Sequence, residues 1–423
     1  MIRRFQALNY RCLRHVDVRL DRFHLLVGAN SSGKSALFDA VAFVSDLVRD
    51  GLPSAIGKRT CDFRDLVWGR RPGQPGFQLA LEFDIPDDAA DHLPAEAGYG
   101  RFRYEVSIRE SERGAGIDAE RGVLLPGAML PRGSKQDSLF PLPPESAESI
   151  VSAGRKRGSR TVFRKSATGT DSIYSEVSER PGKGWIINSS YGPSRSTFGS
   201  LPDAPASFPV ATRVQRFLER YTRLICLDGE RLRSPSPPGL RYREYLADGR
   251  NLPWLIDHLR TRDRAAHDEW LNRVRSVQEG MLGIDVVEQP GDGHAHVVVK
   301  HRSGIATPSW AASEGMLRFL ALTLIPYAAD EGQLFMLEEL ERGLHPAAAE
   351  TVHDLLATAR ECQVLASTYS PVLLGRADPE TLLCLALDRN GMTGIVKGSD
   401  HPLLKDRETC PELDGLFGSG EAG

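Results

Sequence analysis

The chain has 423 residues, more than one small core accommodates, so two or three folded units are expected. With 53 basic against 56 acidic residues the formal net charge is -3, which excludes a chain devoted as a whole to nucleic acid and leaves such contact to a local basic patch. No run of about 20 uninterrupted apolar residues occurs, so no membrane-spanning helix is expected.

The charged N-terminus has no long apolar stretch behind it, so no signal peptide is expected. Cys12, Cys61, Cys226, Cys362, Cys384 and Cys410 form no CxxC pair and no His cluster lies near them. That pattern argues against a zinc site or a disulfide framework and fits a reducing, cytoplasmic setting.

Residues 1–50 read as three strands, a loop and a helix. Ile2–Leu8 and His15–Leu20 alternate enough to be β, and Phe23–Val27 is a short apolar run ending at Gly28, the pattern of a buried strand feeding a loop. Ser35–Arg49 carries Leu37, Ala40, Val41, Val44, Leu47 and Val48 at helical spacing. Two β-like runs follow, Phe77–Ile85 and Arg101–Ile108. Residues 111–210 are rich in Gly, Pro, Ser and Arg and read as an inserted, loop-rich antiparallel segment, with short β pieces at Thr161–Arg164 and Trp185–Asn188. Helical patterns return at Val214–Leu224 and Leu252–Met281, and residues 283–400 alternate strands and helices again. On pattern the chain divides into 1–110, an inserted β segment 111–210, a helical lobe 211–282 and a C-terminal part 283–423. No heptad run extends beyond a few turns, so long coiled-coil arms are not expected.

Gly28-Ala29-Asn30-Ser31-Ser32-Gly33-Lys34-Ser35 matches GxxxxGK[ST], between an apolar strand and a helix. Glycines let the backbone curl so that several N–H groups face a phosphate chain, and the helix N-terminus adds partial positive charge. In this pattern Lys34 reaches the β- and γ-phosphates of ATP, and the Ser35 hydroxyl is a ligand for Mg²⁺. The apolar run Leu334–Leu337 delivers Glu338 and Glu339 at its end, the layout of a buried strand carrying acids to a sheet edge. The first acid would hold Mg²⁺ through water, and Glu339 would orient and deprotonate the attacking water. Glu341 continues the acidic turn, so a merely solvated turn is the bland alternative. Some 310 residues separate Gly28 from Glu338, a gap that suggests an ATPase head with a large insertion. Ser313-Glu314-Gly315 precedes the apolar helical stretch Phe319–Tyr327 and can present a hydroxyl and bare N–H groups to an anion, or serve simply as an N-cap.

Together these residues resemble the AAA family ATPases with ABC/SMC-like heads, relatives of RecF and of the overcoming-lysogenization-defect ATPases. Asn9-Tyr10-Arg11-Cys12-Leu13 is similar to the family's NFRSL start, and Ser313-Glu314-Gly315 to its signature loop. Glu338-Glu339-Leu340-Glu341-Arg342-Gly343-Leu344-His345-Pro346 resembles DEPENGLHP, and Ser367-Thr368-Tyr369-Ser370-Pro371 stands where the family has TTHSP. The four elements occur in the family's order over roughly 1–85 and 225–420. The resemblance implies an α/β P-loop NTPase fold of the ABC/SMC-like head type, with a mixed sheet, an antiparallel β subdomain and a helical lobe. It also implies a nucleotide-sandwich homodimer, each ATP lying between the phosphate loop of one subunit and Ser313–Gly315 of the other. Arg11 is then a further nucleotide contact, and Tyr369 takes the switch position. Two departures stand out: Glu338 replaces the commoner Asp, and Tyr369 replaces a His. A phenol can donate a hydrogen bond to a phosphate, but its ordinary pKa near 10 makes it no proton shuttle at neutral pH, so slow hydrolysis is expected. Gln74 and Gln78 are the weak candidates for the family's Q-loop.

Only 52 residues follow Pro371, too few for an attached metal-dependent nuclease, and 381–397 read as two closing strands. Arg155, Lys156, Arg157, Arg160, Arg164 and Lys165 form a basic cluster that reads either as a solvated loop or as a contact for nucleic acid. Two functional classes remain open at this stage. One is an ATP-driven switch that controls a separately encoded effector, a nuclease or toxin, in antiphage defence. The other is a RecF-like ATPase of DNA maintenance that binds DNA directly.

Overall fold

A computed structural model describes residues 1–70, 76–94, 98–112, 114–127, 149–152, 158–166, 170–178, 186–241, 244–329, 332–401 and 404. The chain forms two compact units. Unit 1 comprises Met1–Asp21, Gly28–Thr222 and Leu383–Gly423, and unit 2 comprises Arg22–Val27 and Arg223–Leu382.

In chain order the strands begin with β1 (Ile2–Tyr10), β2 (Leu13–Arg19), β3 (Phe23–Val27), β4 (Gly76–Asp84), β5 (Tyr99–Ser111) and β6 (Gly114–Pro126). They continue with β7 (Arg160–Lys165), β8 (Asp171–Tyr174), β9 (Ile186–Ser189), β10 (Thr222–Ile225), β11 (Met281–Glu288) and β12 (Ala295–His301). The last are β13 (Ala306–Pro308), β14 (Gln333–Leu337), β15 (Cys362–Ser367), β16 (Leu382–Leu387) and β17 (Thr393–Lys397).

Unit 1 is built on an eight-stranded, wholly antiparallel sheet in the order β2-β1-β4-β5-β6-β7-β8-β9. Phe5, Leu79, Leu81 and Tyr104 are buried from it. A row of opposite charges crosses it: Arg4 pairs with Glu82, and Glu82 with Arg103, in direct cross-strand register. Arg103 Nη1 donates to Glu82 Oε1 at 2.8 Å and its Nε to Glu105 Oε1 at 2.5 Å. Buried charges persist when each has such a partner, and opposite charges directly across strands favour this register. The helix Lys34–Asp50 follows the phosphate loop. All six of its sequence-flagged apolar residues are buried, together with Phe38 and Phe43. The strands β16 and β17 form an antiparallel hairpin.

Glu176 illustrates a cost that burial imposes in this unit. Its carboxylate accepts from Val210 N–H at 2.7 Å and Ala211 N–H at 2.9 Å, at the start of the helix Pro209–Arg216. Burial nevertheless outweighs these bonds and the nearby Arg160, and pushes its pKa from 4.5 to about 7. Between those values the folded chain holds a proton that the unfolded chain has released. The stabilisation is therefore complete below pH 4.5 and lost as pH rises through about 7, by roughly 3 kcal/mol. Urea unfolding at pH 5 and pH 7.5 should show the wild type losing about 2 kcal/mol more stability than Glu176→Gln, part of the change already lying below pH 5. Parallel losses in the two proteins would refute the assignment.

Unit 2 contains the strands β10-β14-β15-β3 in that order, with β14, β15 and β3 mutually parallel. Every residue of β14, β15 and β3 is buried, as expected of parallel strands covered on both faces. The helix Pro346–Ala357 makes the crossover from β14 to β15. The helix Glu314–Ala328 is buried from Leu317 to Ile325. It is held by Trp270 Nε1 donating to Thr323 Oγ1 at 3.0 Å and Tyr245 OH donating to Ala321 O at 3.0 Å. A small antiparallel sheet, β11-β12-β13, completes the unit.

Two helical expectations need correction. Leu252–Met281 is two helices, Leu252–Arg262 and Arg264–Val277, broken at Asp263, and Met281 opens β11. Val214–Leu224 ends as a helix before Thr222, where β10 begins. No described helix is long and apolar enough to cross a membrane.

Candidate functional site

In unit 1 the phosphate loop runs directly into the helix Lys34–Asp50. Gly33, the residue before that helix, has φ 108°, a conformation that only glycine adopts without strain, and Ser31 has φ 66°. Gly28 is a point of close approach: a Cβ there would lie 2.1 Å from Leu385 O. The Lys34 ammonium donates to Gly28 O at 2.6 Å and Ala29 O at 2.9 Å, so it braces the loop from within. Ala29, Asn30, Ser31 and Ser35 are exposed, while Ser32 is buried with its hydroxyl oxygen lacking a hydrogen-bond partner. A buried hydroxyl without a partner, a lysine and the bare N–H groups of a helix start form a donor set that suits a polyphosphate. The exposed Ser35 hydroxyl at the helix start suits a hard cation such as Mg²⁺.

Arg11 joins this half of the site through the same helix. Its backbone turns at φ 48°, and its Nε lies 3.0 Å from Asp39 Oδ2. Asp39 also accepts from Tyr10 OH at 2.6 Å and Arg59 Nε at 2.6 Å. The β1–β2 turn is thereby anchored to the helix that the phosphate loop opens.

Unit 2 brings together the remaining residues flagged by sequence. Glu338 follows β14 and is exposed. Glu339 has φ 50°, a left-handed conformation that costs a glutamate about 1–2 kcal/mol and persists only where its surroundings impose it. The imposing contacts are visible. Glu339 N–H donates to Ser367 Oγ at 3.1 Å, and Leu340 N–H donates to Ser367 O at 2.9 Å. Glu341 takes Thr368 Oγ1–H on one oxygen and Tyr369 N–H on the other, both at 2.7 Å. Thr368 N–H in turn donates to Leu26 O at 3.1 Å, at the end of the strand that feeds the phosphate loop. Tyr369 is 47% exposed, so it is available to a ligand. Partial burial first, then Glu339, Glu338 and Glu341, push its phenol above its ordinary pKa.

Ser313 and Glu314 are exposed, and Ser313 Oγ accepts from Met316 N–H at 3.3 Å, the N-cap of its helix. Gly315 fits closely against the acidic turn: a Cβ there would lie 2.5 Å from Gly343 O. Arg318, three residues on, donates to Arg342 O at 2.9 Å and Leu227 O at 3.2 Å. The signature segment and the acidic turn are thus one packed assembly.

Residues 136–375 match the family described as "AAA domain, putative AbiEii toxin, Type IV TA system". This span is more than half of the chain and includes Ser313–Gly315, Glu338–His345 and Ser367–Pro371. The chain belongs to this AAA-domain family. Its fold is the α/β P-loop NTPase fold of the ABC/SMC-like head type, and the protein is an ATPase of the AAA/SMC-head type. The longest described helix of this AAA-domain chain has 17 residues, so no coiled-coil arm is present among the described residues. No curated protein matches it. Among solved structures it is similar to an Smc head bound to the C-terminal winged-helix domain of ScpA, at 15% identity over 93% of this chain and 97% of that one, TM-score 0.49. It is also similar to an Smc head domain with an extended coiled coil bound to the C-terminal domain of ScpA from Pyrococcus furiosus, at 13% identity over 93% and 95%, TM-score 0.46. A third similar structure is the SMC head domain from Thermotoga maritima, at 10% identity over 94% and 98%, TM-score 0.38.

One sequence-derived candidate of this AAA-domain chain is occupied elsewhere. Gln78 Oε1 accepts from Ile150 N–H at 2.8 Å and Ser149 Oγ–H at 3.0 Å, so it holds the segment 149–151; Gln74 lies outside the described residues. The basic cluster needs correction. Arg160 and Lys165 are buried, and the Lys165 ammonium is 2.8 Å from Asp171 Oδ1 and donates to Gly192 O at 2.9 Å. Arg164 is exposed, and Arg155, Lys156 and Arg157 lie outside the described residues. Ser367, Arg318 and the bonding role of Glu341 were not readable from sequence, because each acts on a segment distant along the chain.

Proposed function

We propose that this chain is an ATP-binding and slowly ATP-hydrolysing molecular switch. It closes as a nucleotide-sandwich homodimer and controls a separately encoded effector, a nuclease or toxin, in antiphage defence. Lys34 and the N–H groups of Gly28–Ser35 hold the phosphates, with Arg11 as a further contact. Ser313–Gly315 of one protomer faces the ATP of its partner. Ser35 and, through water, Glu338 would hold Mg²⁺, which would supply charge neutralisation to the phosphates. Glu339 takes the proton of the attacking water, and the Tyr369 phenol donates a hydrogen bond to the γ-phosphate.

The observation that carries this reading is the bonded link between two turns. The acid assigned to water activation and the residue assigned to γ-phosphate sensing are joined through Ser367 and Glu341. A change at the phosphate is therefore felt in both turns, which is what a switch requires. The family description, which names a toxin of a toxin–antitoxin system, supports control of or by a partner.

Turnover assays of the pure chain with ATP and Mg²⁺ test the reading. Hydrolysis is expected to be slow, unaffected by added DNA, and faster in Tyr369→His, because imidazole exchanges a proton near neutral pH and the raised phenol does not. Turnover stimulated severalfold by DNA would favour the RecF-like alternative. A slower Tyr369→His enzyme would make the tyrosine a packing residue and not a switch.

A further inference from the structure

We propose that Glu341 is a positioning residue. Its carboxylate clamps the turn Ser367–Ser370 so that Tyr369 and Glu339 are presented to the same phosphate. The inference deepens the ATPase reading above and rests on it for its turnover readout.

By sequence, Glu338, Glu339 and Glu341 are three acids of one turn, with Glu339 the expected base and Glu338 the expected metal contact. The structure separates them. Both oxygens of Glu341 are engaged, one by Thr368 Oγ1–H and one by Tyr369 N–H, each at 2.7 Å. Thr368 Oγ1 also accepts Ser370 N–H at 2.9 Å, so the hydroxyl relays the carboxylate's hold along the turn. Each oxygen of this carboxylate thus holds a donor of the switch turn. The Glu339 carboxylate is far less constrained: its ion-pair partner is Arg342, with Nη1 at 4.0 Å and both side chains largely exposed. The clamp acts on the Tyr369 backbone, and the residue remains exposed. The acidic turn is bound back by the Glu339 N–H to Ser367 Oγ bond. Removing the carboxylate of Glu341 therefore frees the switch turn on one side only. ATP affinity, assigned to the phosphate loop, is left in place.

Glutamine and alanine separate this role from a chemical one. Glu341→Gln keeps both contacts: its Oε1 accepts from Tyr369 N–H, and its amide donates to Thr368 Oγ1, which has a lone pair to spare. Glu341→Ala keeps neither. For the 423-residue chain, kcat of Glu341→Gln should stay within about threefold of wild type and that of Glu341→Ala should fall about tenfold or more, with KM for ATP within about twofold in both. Hydrogen exchange of the Tyr369 amide should be faster in Glu341→Ala and near wild type in Glu341→Gln, with an intermediate value in Thr368→Val. A Glu341→Gln enzyme as slow as Glu339→Gln would make Glu341 a chemical participant. Wild-type exchange and kcat in Glu341→Ala would remove the clamp altogether. Exchange is read without turnover, so a wild-type chain that hydrolyses no ATP would sink the functional reading while exchange still decides the clamp.

Discussion

Glu339→Gln is expected to bind ATP as the wild type does and to turn it over ~10²-fold more slowly or worse. Glutamine has nearly the same shape as glutamate but cannot take a proton from water. The contact that fixes residue 339 runs through its backbone N–H to Ser367 Oγ, so it survives the substitution. The left-handed backbone at φ 50° asks the same of Gln as of Glu. The loss is therefore chemical and not conformational. Stopped at the ATP-bound stage, the protein should accumulate in its closed form. Normal turnover in this variant, measured by phosphate release, would move the base to Glu338.

Lys34→Ala is expected to weaken ATP binding tenfold or more, on the order of 1.4 kcal/mol. The ammonium does two things at once. It carries the charge assigned to the β- and γ-phosphates, and it ties Gly28 O and Ala29 O together inside the loop. Alanine removes the charge and leaves both carbonyls without that donor, so a loop that is preorganised becomes one that binding must order. Titration calorimetry with ATP reads the effect directly. Unchanged affinity would sink the assignment of Gly28–Ser35 as the phosphate site.

The parts of this protein that announced themselves are those whose chemistry is local. Gly28–Ser35 carries its own turn, donors and helix start within eight residues, and the strand before it and the helix after it lie where the pattern put them. Leu334–Leu337 reads as a buried strand because both its faces are covered, and all of it is buried. The strand β6 was hidden by its glycines. Gly122 suggests a loop, yet it is the seat of the Phe163 ring, which a Cβ would approach to 2.2 Å. The break at Asp263 was visible in principle: its side chain caps the next helix by accepting from Ala266 N–H, a signal that the continuous apolar spacing masked. Lys165, the last residue of the basic run, is buried against Asp171 of another strand and Gly192 O of a loop, and pattern alone counts such a residue as surface. In the site itself, Glu338, Glu339 and Tyr369 were legible as a motif. The bonds that join them were not, because Ser367 meets Glu339, and Glu341 meets Thr368 and Tyr369, only across the crossover from β14 to β15. Backbone strain at Glu339 has no signature in a side-chain pattern.

The central claim is that ATP drives this head to close upon a second copy. Light scattering of Glu339→Gln with and without saturating ATP and Mg²⁺ tests it most directly. The expected result is a single-chain mass without nucleotide and about twice that mass with ATP, reversed when ADP replaces ATP. A mass that stays the same with ATP bound would contradict it.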